Sequence, residues 1–362
     1  MKLTNIRLLN QQLVKPEFRQ PKDLVAWMGA VQAQSYSMAK WAIGIRLASG
    51  TLQAVEESLR KGEILRTHVM RPTWHFVAAE DIRWMLQLTG QRIKTACESY
   101  ARSSQLEITP KQMLQSFGNL QKMLEGNKSL TRQEIGEALE QQKIITNDHR
   151  ITTLLGCAEA EGVICSGIDK GSKTTYALLE ERVPPMKELA KEEALACFAR
   201  KYFQSHSPAT LNDFVWWSGL TKTEAKQAIY SIESELTQEV TKEMNGEQTW
   251  YIHTHCRTNG KVANSCFLLP SYDEFLISYK DRTGVLPLAH HPKAFTNNGL
   301  FYPVILHNGT VVGNWTKNTK KNEISVGHSY FEPDTLIDES LLETARGQYE
   351  SFLFTPKKLK TR

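Results

Sequence analysis

Three times between residue 1 and about residue 255 the chain runs through helical stretches into a strand, a turn and a second strand, and beyond Lys261 it becomes β-rich. This order predicts an α+β fold of tandem winged-helix modules, about three of them, followed by a β-rich C-terminal domain. Comparable units recur at a spacing of about seventy to eighty residues, which is domain duplication rather than a short solenoid repeat. The expected boundaries are 1–90, 91–183, 184–258 and 259–362.

In the first unit, helical stretches near 3–13, 22–33, 38–48 and 52–60 precede strand-like segments at 64–69 and 74–77. Met70-Arg71-Pro72-Thr73 separates the two strands, and proline there forces a turn, holding Arg71 at or near a hairpin tip. In the second unit, Thr131 and Glu134 form a capping box, because each side chain satisfies an orphan amide at a helix start. A helix over 147–162 follows, then strands at 163–168 and 174–179 joined by Asp169-Lys170-Gly171-Ser172. Val183-Pro184-Pro185 reads as a linker into the third unit, with a helix near 187–204, a second capping box at Thr221 and Glu224, and strands near 236–243 and 249–254. Trp216 and Trp217 sit at helical spacing and read as core. In the last region, Asn308-Gly309 between two β-rich runs is the strongest hairpin signal of the chain, since both residues tolerate positive φ. A further turn is expected over 317–322 with three lysines, a closing helix over 337–353, and a solvated basic tail of Lys357, Lys358, Lys360 and Arg362.

With 362 residues, 41% hydrophobic and 23% charged, the chain is an ordinary folded protein with ample length for packed cores. A net charge of +5 permits a nucleic-acid partner without demanding one. No secretory signal or membrane-spanning run is legible, so a cytoplasmic protein, nucleoid-associated when on DNA, is expected. The six cysteines include no C-x-x-C pair. His253, His255 and Cys256 lack further ligands, so no metal is expected there. Nor does the Gly-Ser-Lys-Thr run at 171–174 make a phosphate loop, because it joins two strands and lacks the leading glycine.

The sharpest chemical feature is Gln32-Ala33-Gln34, which follows the apolar stripe Leu24, Trp27, Met28 and Val31. Residues two apart on a helix point away from each other, so two cooperating amides require a turned or extended backbone at Gln34, which Ser35-Tyr36-Ser37 supplies. Arg71 and His75 are candidates for contacting phosphate or substrate, although Arg71 also reads as a turn brace and His75 as a core residue. Lys317, Lys320 and Lys321 suit a backbone-grasping hairpin, with Lys40 and Arg282 as further basic candidates. Asp273, Glu274, Asp281 and Arg282 read as a salt-bridge network between domains.

Taken together, Gln32-Ala33-Gln34, the run from Leu65 to His75, Ser207 to Phe214, Leu269 to Phe275, Lys280-Asp281-Arg282 and Asn308 to Trp315 resemble the AlkZ-like DNA glycosylase family. These are winged-helix proteins that unhook DNA interstrand crosslinks and excise N7-alkylated purines. The resemblance implies three tandem winged helices and a barrel-like C-terminal domain around a channel for duplex DNA. It also assigns catalysis to the Gln-apolar-Gln motif, here Gln32 and Gln34, in the branch with glutamine rather than aspartate at the second position. The implied partner is double-stranded DNA with alkylated purines or crosslinks, met by a monomer with no membrane and no cofactor.

The chemistry fits neutral amides. An N7-alkylated purine is already cationic and leaves without an acid, so the enzyme must mainly place water and stabilise an oxocarbenium-like sugar. A carboxamide oxygen can orient water but cannot take a proton at neutral pH, which suits a labile bond and not an intact nucleoside. Gln34 is expected to position water and Gln32 to assist through the water or the sugar. A non-catalytic winged-helix DNA-binding protein or regulator, or a scaffold without nucleic acid, are the competing readings.

Overall fold

Proline and glycine bracket the helix that leads into the Gln-Ala-Gln segment. A computed structural model describes residues 3–147, 149–186, 188–243, 246–260, 262, 264–320, 323–335 and 337–354. Its first region holds α1 (Leu3–Asn10), α2 (Pro21–Met28), β1 (Val31–Gln32), α3 (Tyr36–Gly44), α4 (Leu52–Lys61), β2 (Ile64–His68) and β3 (Trp74–Ala78). Pro21 suits the first turn of α2, where an N–H would lack a partner anyway, and Gly29 ends that helix at φ 76°. The helix expected to reach residue 33 therefore stops short. Val31 and Gln32 instead pair antiparallel with Phe76 and His75, in a three-stranded sheet of order β1-β3-β2.

The second region runs through α5 (Ala79–Ser103), α6 (Pro110–Leu124), β4 (Leu130–Thr131), α7 (Arg132–Gln141), α8 (Arg150–Ala160), β5 (Ile164–Ser166), β6 (Thr175–Leu178) and α9 (Leu179–Arg182). Capping boxes start α6 at Thr109 and α7 at Thr131. The sheet order β4-β6-β5 repeats the small antiparallel pattern of the first region, over a core that includes Leu120, Leu139 and Leu154. The third region contains α10 (Lys191–His206), α11 (Leu211–Ser218), α12 (Lys222–Tyr230) and the hairpin β7 (Leu236–Glu243) and β8 (Gly246–His253). Its core is continuous with the first region, since Phe198 and Trp217 share a cluster with Leu65 and Val77.

The last region comprises β9 (Cys266–Leu269), α13 (Glu274–Ile277), α14 (His291–Ala294), β10 (Val304–His307), β11 (Thr310–Lys320), β12 (Glu323–Tyr330) and α15 (Glu339–Leu353). Asn308 and Gly309 form the β10–β11 turn at φ 49° and 82°. The four strands run β12-β11-β10-β9 as an open sheet, and no barrel closes among the described residues. The turn expected from Lys317 is shorter, because β11 continues to Lys320 and pairs Lys317 with Val326.

First and last regions share one core, in which Trp41 and Phe76 pack with Phe275, Trp315 and Phe352. Phe352 of α15 presses on α3 so closely that a Cβ at Gly44 would lie 2.3 Å from it. At the centre of this junction a fully buried bidentate pair joins Arg46 to Asp273, with Nη1–Oδ2 at 2.8 Å and Nη2–Oδ1 at 2.7 Å. Arg46 also donates to Ala42 O and to Gln11 Oε1, so the fork is largely satisfied. Removing one partner strands a buried charge, and such losses run to roughly 3–5 kcal/mol. Chemical denaturation of Arg46→Met should show a loss of that order, and a change below about 1 kcal/mol would mean that the pair does not hold the junction.

Candidate active site

Extended backbone brings the Gln-Ala-Gln segment against β3. The pairing continues past β1 through Ala33, whose N–H donates to Trp74 O at 2.7 Å. Side chains two apart along such a strand share a face. The register sets Gln32 opposite His75, and His75 opposite Thr67 on β2, so the three form one row across the sheet. Side chains from elsewhere hold its backbone: Gln32 N–H donates to Glu274 Oε1 at 2.6 Å, and Ala33 O accepts from Arg66 Nε at 3.0 Å.

The two carboxamides differ in setting. Gln32 is 4% exposed and its Oε1 accepts from Arg71 Nη2 at 3.0 Å. A guanidinium only donates, so this contact fixes the oxygen toward Arg71 and leaves the Gln32 amide N–H groups as the end available to a substrate. Gln34 is exposed, and its Oε1 accepts from Trp74 N–H at 3.4 Å. That length is at the outer limit of a hydrogen bond, so the Gln34 carboxamide is free to turn toward a water.

Arg71 lies in the β2–β3 turn, after Met70 at φ 67°; Pro72 is exposed there, whereas Arg71 is half-buried. A Cβ at Gly219, just beyond α11, would come within 2.5 Å of Met70 O, so the third region presses on the turn and directs Arg71 inward. Burial pulls the guanidinium below its usual range, with the Glu274 carboxylate opposing the shift. His75 is likewise inside. Its Nδ1 lies 2.9 Å from Thr73 O, to which the neutral ring donates, and burial together with the nearby Arg71 charge lowers its pKa to about 3. The buried Nε2 of His75 and Oγ1 of Thr67 have no hydrogen-bond partner among the described residues.

Several groups around the segment were not singled out by sequence. Trp74 is flanked by the His68 ring, 4.5 Å between centroids, and by the Arg66 guanidinium at 4.3 Å. Its indole N–H donates to Glu159, which also pairs with His68. With both neighbours in place Trp74 is a wall rather than a stacking platform. Only its position beside His75 hinted at this role.

The remaining basic candidates are spread out. Lys40 is buried, pairs with Glu56 at 2.8 Å and lies 4.4 Å from the Tyr36 ring. Arg282 is also buried. It donates to Leu276 O and Lys280 O, and it lies over Trp216, Phe295 and Phe301, while burial takes its pKa to about 10. Lys317 is exposed on β11, with Lys320 on the same strand, whereas Lys321 and the basic tail lie outside the described residues. Asp273 serves the expected network through Arg46, but Asp281 bonds its own turn at Thr283. His253 meets Glu235 at 3.3 Å, and the Cys256 thiol meets the carbonyls of Phe203 and Gln204. No helix among the described residues is long and apolar enough to cross a membrane.

The family model for DNA glycosylase AlkZ-like proteins matches residues 25–352, and the chain belongs to that family. It is similar to the interstrand DNA cross-link repair glycosylase of Streptomyces sahachiroi, with 24% identity over 320 residues covering 85% of each chain. The solved structure of the Streptomyces sahachiroi DNA glycosylase AlkZ has a similar fold, with a TM-score of 0.75 at 20% identity over 97% of this chain and 95% of that one.

The buried His75 carries a pH signature. Its folded pKa lies below the ordinary value of about 6.5, so the unfolded chain binds a proton that the native one refuses. Its contribution to stability is full above about pH 6.5 and is lost as pH falls toward 3. Nitrogen-15 NMR should find His75 neutral at pH 5, with the proton on Nδ1. A charged ring at that pH contradicts the placement.

Proposed function

We propose that the protein is a monofunctional DNA N-glycosylase that hydrolyses the N-glycosidic bond of N7-alkylated purines in duplex DNA and unhooks interstrand crosslinks. The observation that carries this reading is the unequal pair of amides. Gln32 is clamped by Arg71 with its N–H groups free, and Gln34 is exposed with a weakly held oxygen. Gln34 positions the attacking water through its oxygen, Gln32 assists through the sugar or that water, and the proton the water loses on adding to the sugar passes to solvent. Because the alkylated base leaves as a neutral species, no general acid is needed.

The name of the Streptomyces relative, an interstrand DNA cross-link repair glycosylase, favours a crosslink as one substrate. A base tethered to both strands cannot be flipped freely, so the lesion is read in place. The small three-stranded sheets that follow the helices in the first two regions, and the β7–β8 hairpin in the third, are read as the wings of tandem winged-helix modules. Exposed Lys317 on the long β11–β12 hairpin, with Lys320 and Lys321 beyond it, grips phosphate, whereas Arg71 and His75 act from inside the site and Lys40 and Arg282 brace it. The enzyme works as a monomer in the cytoplasm, on the nucleoid.

Single-turnover excision of 7-methylguanine, and of a crosslinked duplex in parallel, tests the reading. Gln34→Ala and Gln32→Ala should each slow base release by on the order of 10²-fold. Tight duplex binding with no base release by the wild-type protein would instead make it a non-catalytic DNA-binding protein.

A further inference from the structure

Gln32 is held at two points by groups of opposite charge. Arg71 reaches its carboxamide oxygen at 3.0 Å, and Glu274 receives its backbone N–H at 2.6 Å from a position 242 residues further along the chain. Glu274 is 1% exposed, at the first turn of α13. Its other oxygen accepts from Ser278 Oγ and lies 3.9 Å from His206 Nε2. Burial alone would push the carboxyl up, yet the nearby His206 ring and the hydrogen bonds from Ser278 Oγ and the Gln32 amide hold it below the ordinary carboxylate range. A fully buried anion is costly unless the groups around it are arranged to receive it. Here one of those groups is the peptide N–H of the catalytic motif itself.

β1 is two residues long and cannot hold its own register through ladder bonds. A charge-assisted bond to a rigid neighbour is the stronger restraint. Glu274 is rigid because Asp273, the residue before it, is fixed by the Arg46 pair and caps α13 by accepting from Phe275 N–H at 2.9 Å. We infer that Glu274 is a positioning residue for excision: its carboxylate sets the Gln32 backbone, so that with Arg71 fixing the side chain the Gln32 N–H groups point at the substrate. The last region of the chain thus completes a site whose amides lie in the first. This role rests on the glycosylase reading, but the restraint it describes is measurable without turnover.

The experiment compares the full-length wild type with Glu274→Gln and with Ser278→Ala, which removes one hydrogen bond from the carboxylate and keeps the charge. Three quantities are read: hydrogen exchange of the Gln32 to Gln34 backbone, the single-turnover excision rate, and the Kd for 7-methylguanine duplex. Glu274→Gln is expected to speed exchange at Gln32 and to slow excision by about tenfold or more, the equivalent of one charge-assisted hydrogen bond, with Kd unchanged. Ser278→Ala should move exchange and rate the same way by less, and it serves if Glu274→Gln does not fold. Unchanged exchange at Gln32 in both variants overturns the inference, as does an excision loss matched by an equal loss of DNA affinity. A wild type that releases no base defeats the glycosylase reading, and the exchange result then decides for or against Glu274 by itself.

Discussion

The junction between first and last regions turns on two adjacent acidic residues, Asp273 and Glu274, that serve opposite sides of one turn. Asp273 anchors the turn in the core through Arg46, and Glu274 carries that anchorage to the Gln32 amide. Neither charge meets solvent, so each depends on donors supplied by another part of the chain. Gln11 ties the arrangement together from α1's end, accepting from Arg46 and donating to Glu274 O and Tyr279 OH. The Tyr279 hydroxyl in turn donates to His206 O, and the Arg7 guanidinium lies 3.7 Å over its ring. Polar groups that would be costly singly are joined into one network, in which Arg46 Nε and His206 Nε2 alone among these residues lack a partner among the described residues.

That set explains how uncharged amides become a defined site. A glutamine has three side-chain torsions and little preference among them when solvated. Burying Gln32 against a donor-only guanidinium removes most of that freedom and also fixes which end faces outward. Gln34 keeps its freedom, at a position where the backbone is nonetheless pinned by Ala33 on both of its peptide groups. One rigid amide and one mobile one suit the proposed reaction, in which the leaving group needs no help but water must be brought to one face of the sugar.

Much of the scaffold was legible from local rules. The capping boxes at Thr131 and Thr221 and the Asn308-Gly309 turn stand where their side-chain chemistry places them. The end of α2 was not, because the stripe Leu24, Trp27, Met28 and Val31 continues in sequence while Gly29 breaks the helix at positive φ, and Val31 is buried from a strand instead. The buried face of the 25-residue α5 includes Asp81, Thr89 and Gly90, which give no apolar signal. The two glutamines were visible as a motif, and a turned or extended backbone at Gln34 followed from their spacing; the chain is extended through Gln32 and bends at Gln34. Their partners were not, since Glu274 and Arg66 meet the segment only through tertiary packing, and a buried carboxylate in the sequence looks like any surface acid. The settings of basic residues were hidden for the matching reason: Lys40 and Arg282 are buried and engaged by Glu56 and by carbonyls and rings inside the protein.

The 242-residue gap between Gln32 and Glu274 also orders events during synthesis. Chains emerge from the ribosome amino end first and regions fold as they appear. A nascent polypeptide displays its first helices and sheet long before the strap that aligns its amide motif has been made. On the proposed reading, competence to release a base therefore arrives only once Glu274 has been made, and a truncated translation product that still folds its early regions carries the motif without the means to aim it.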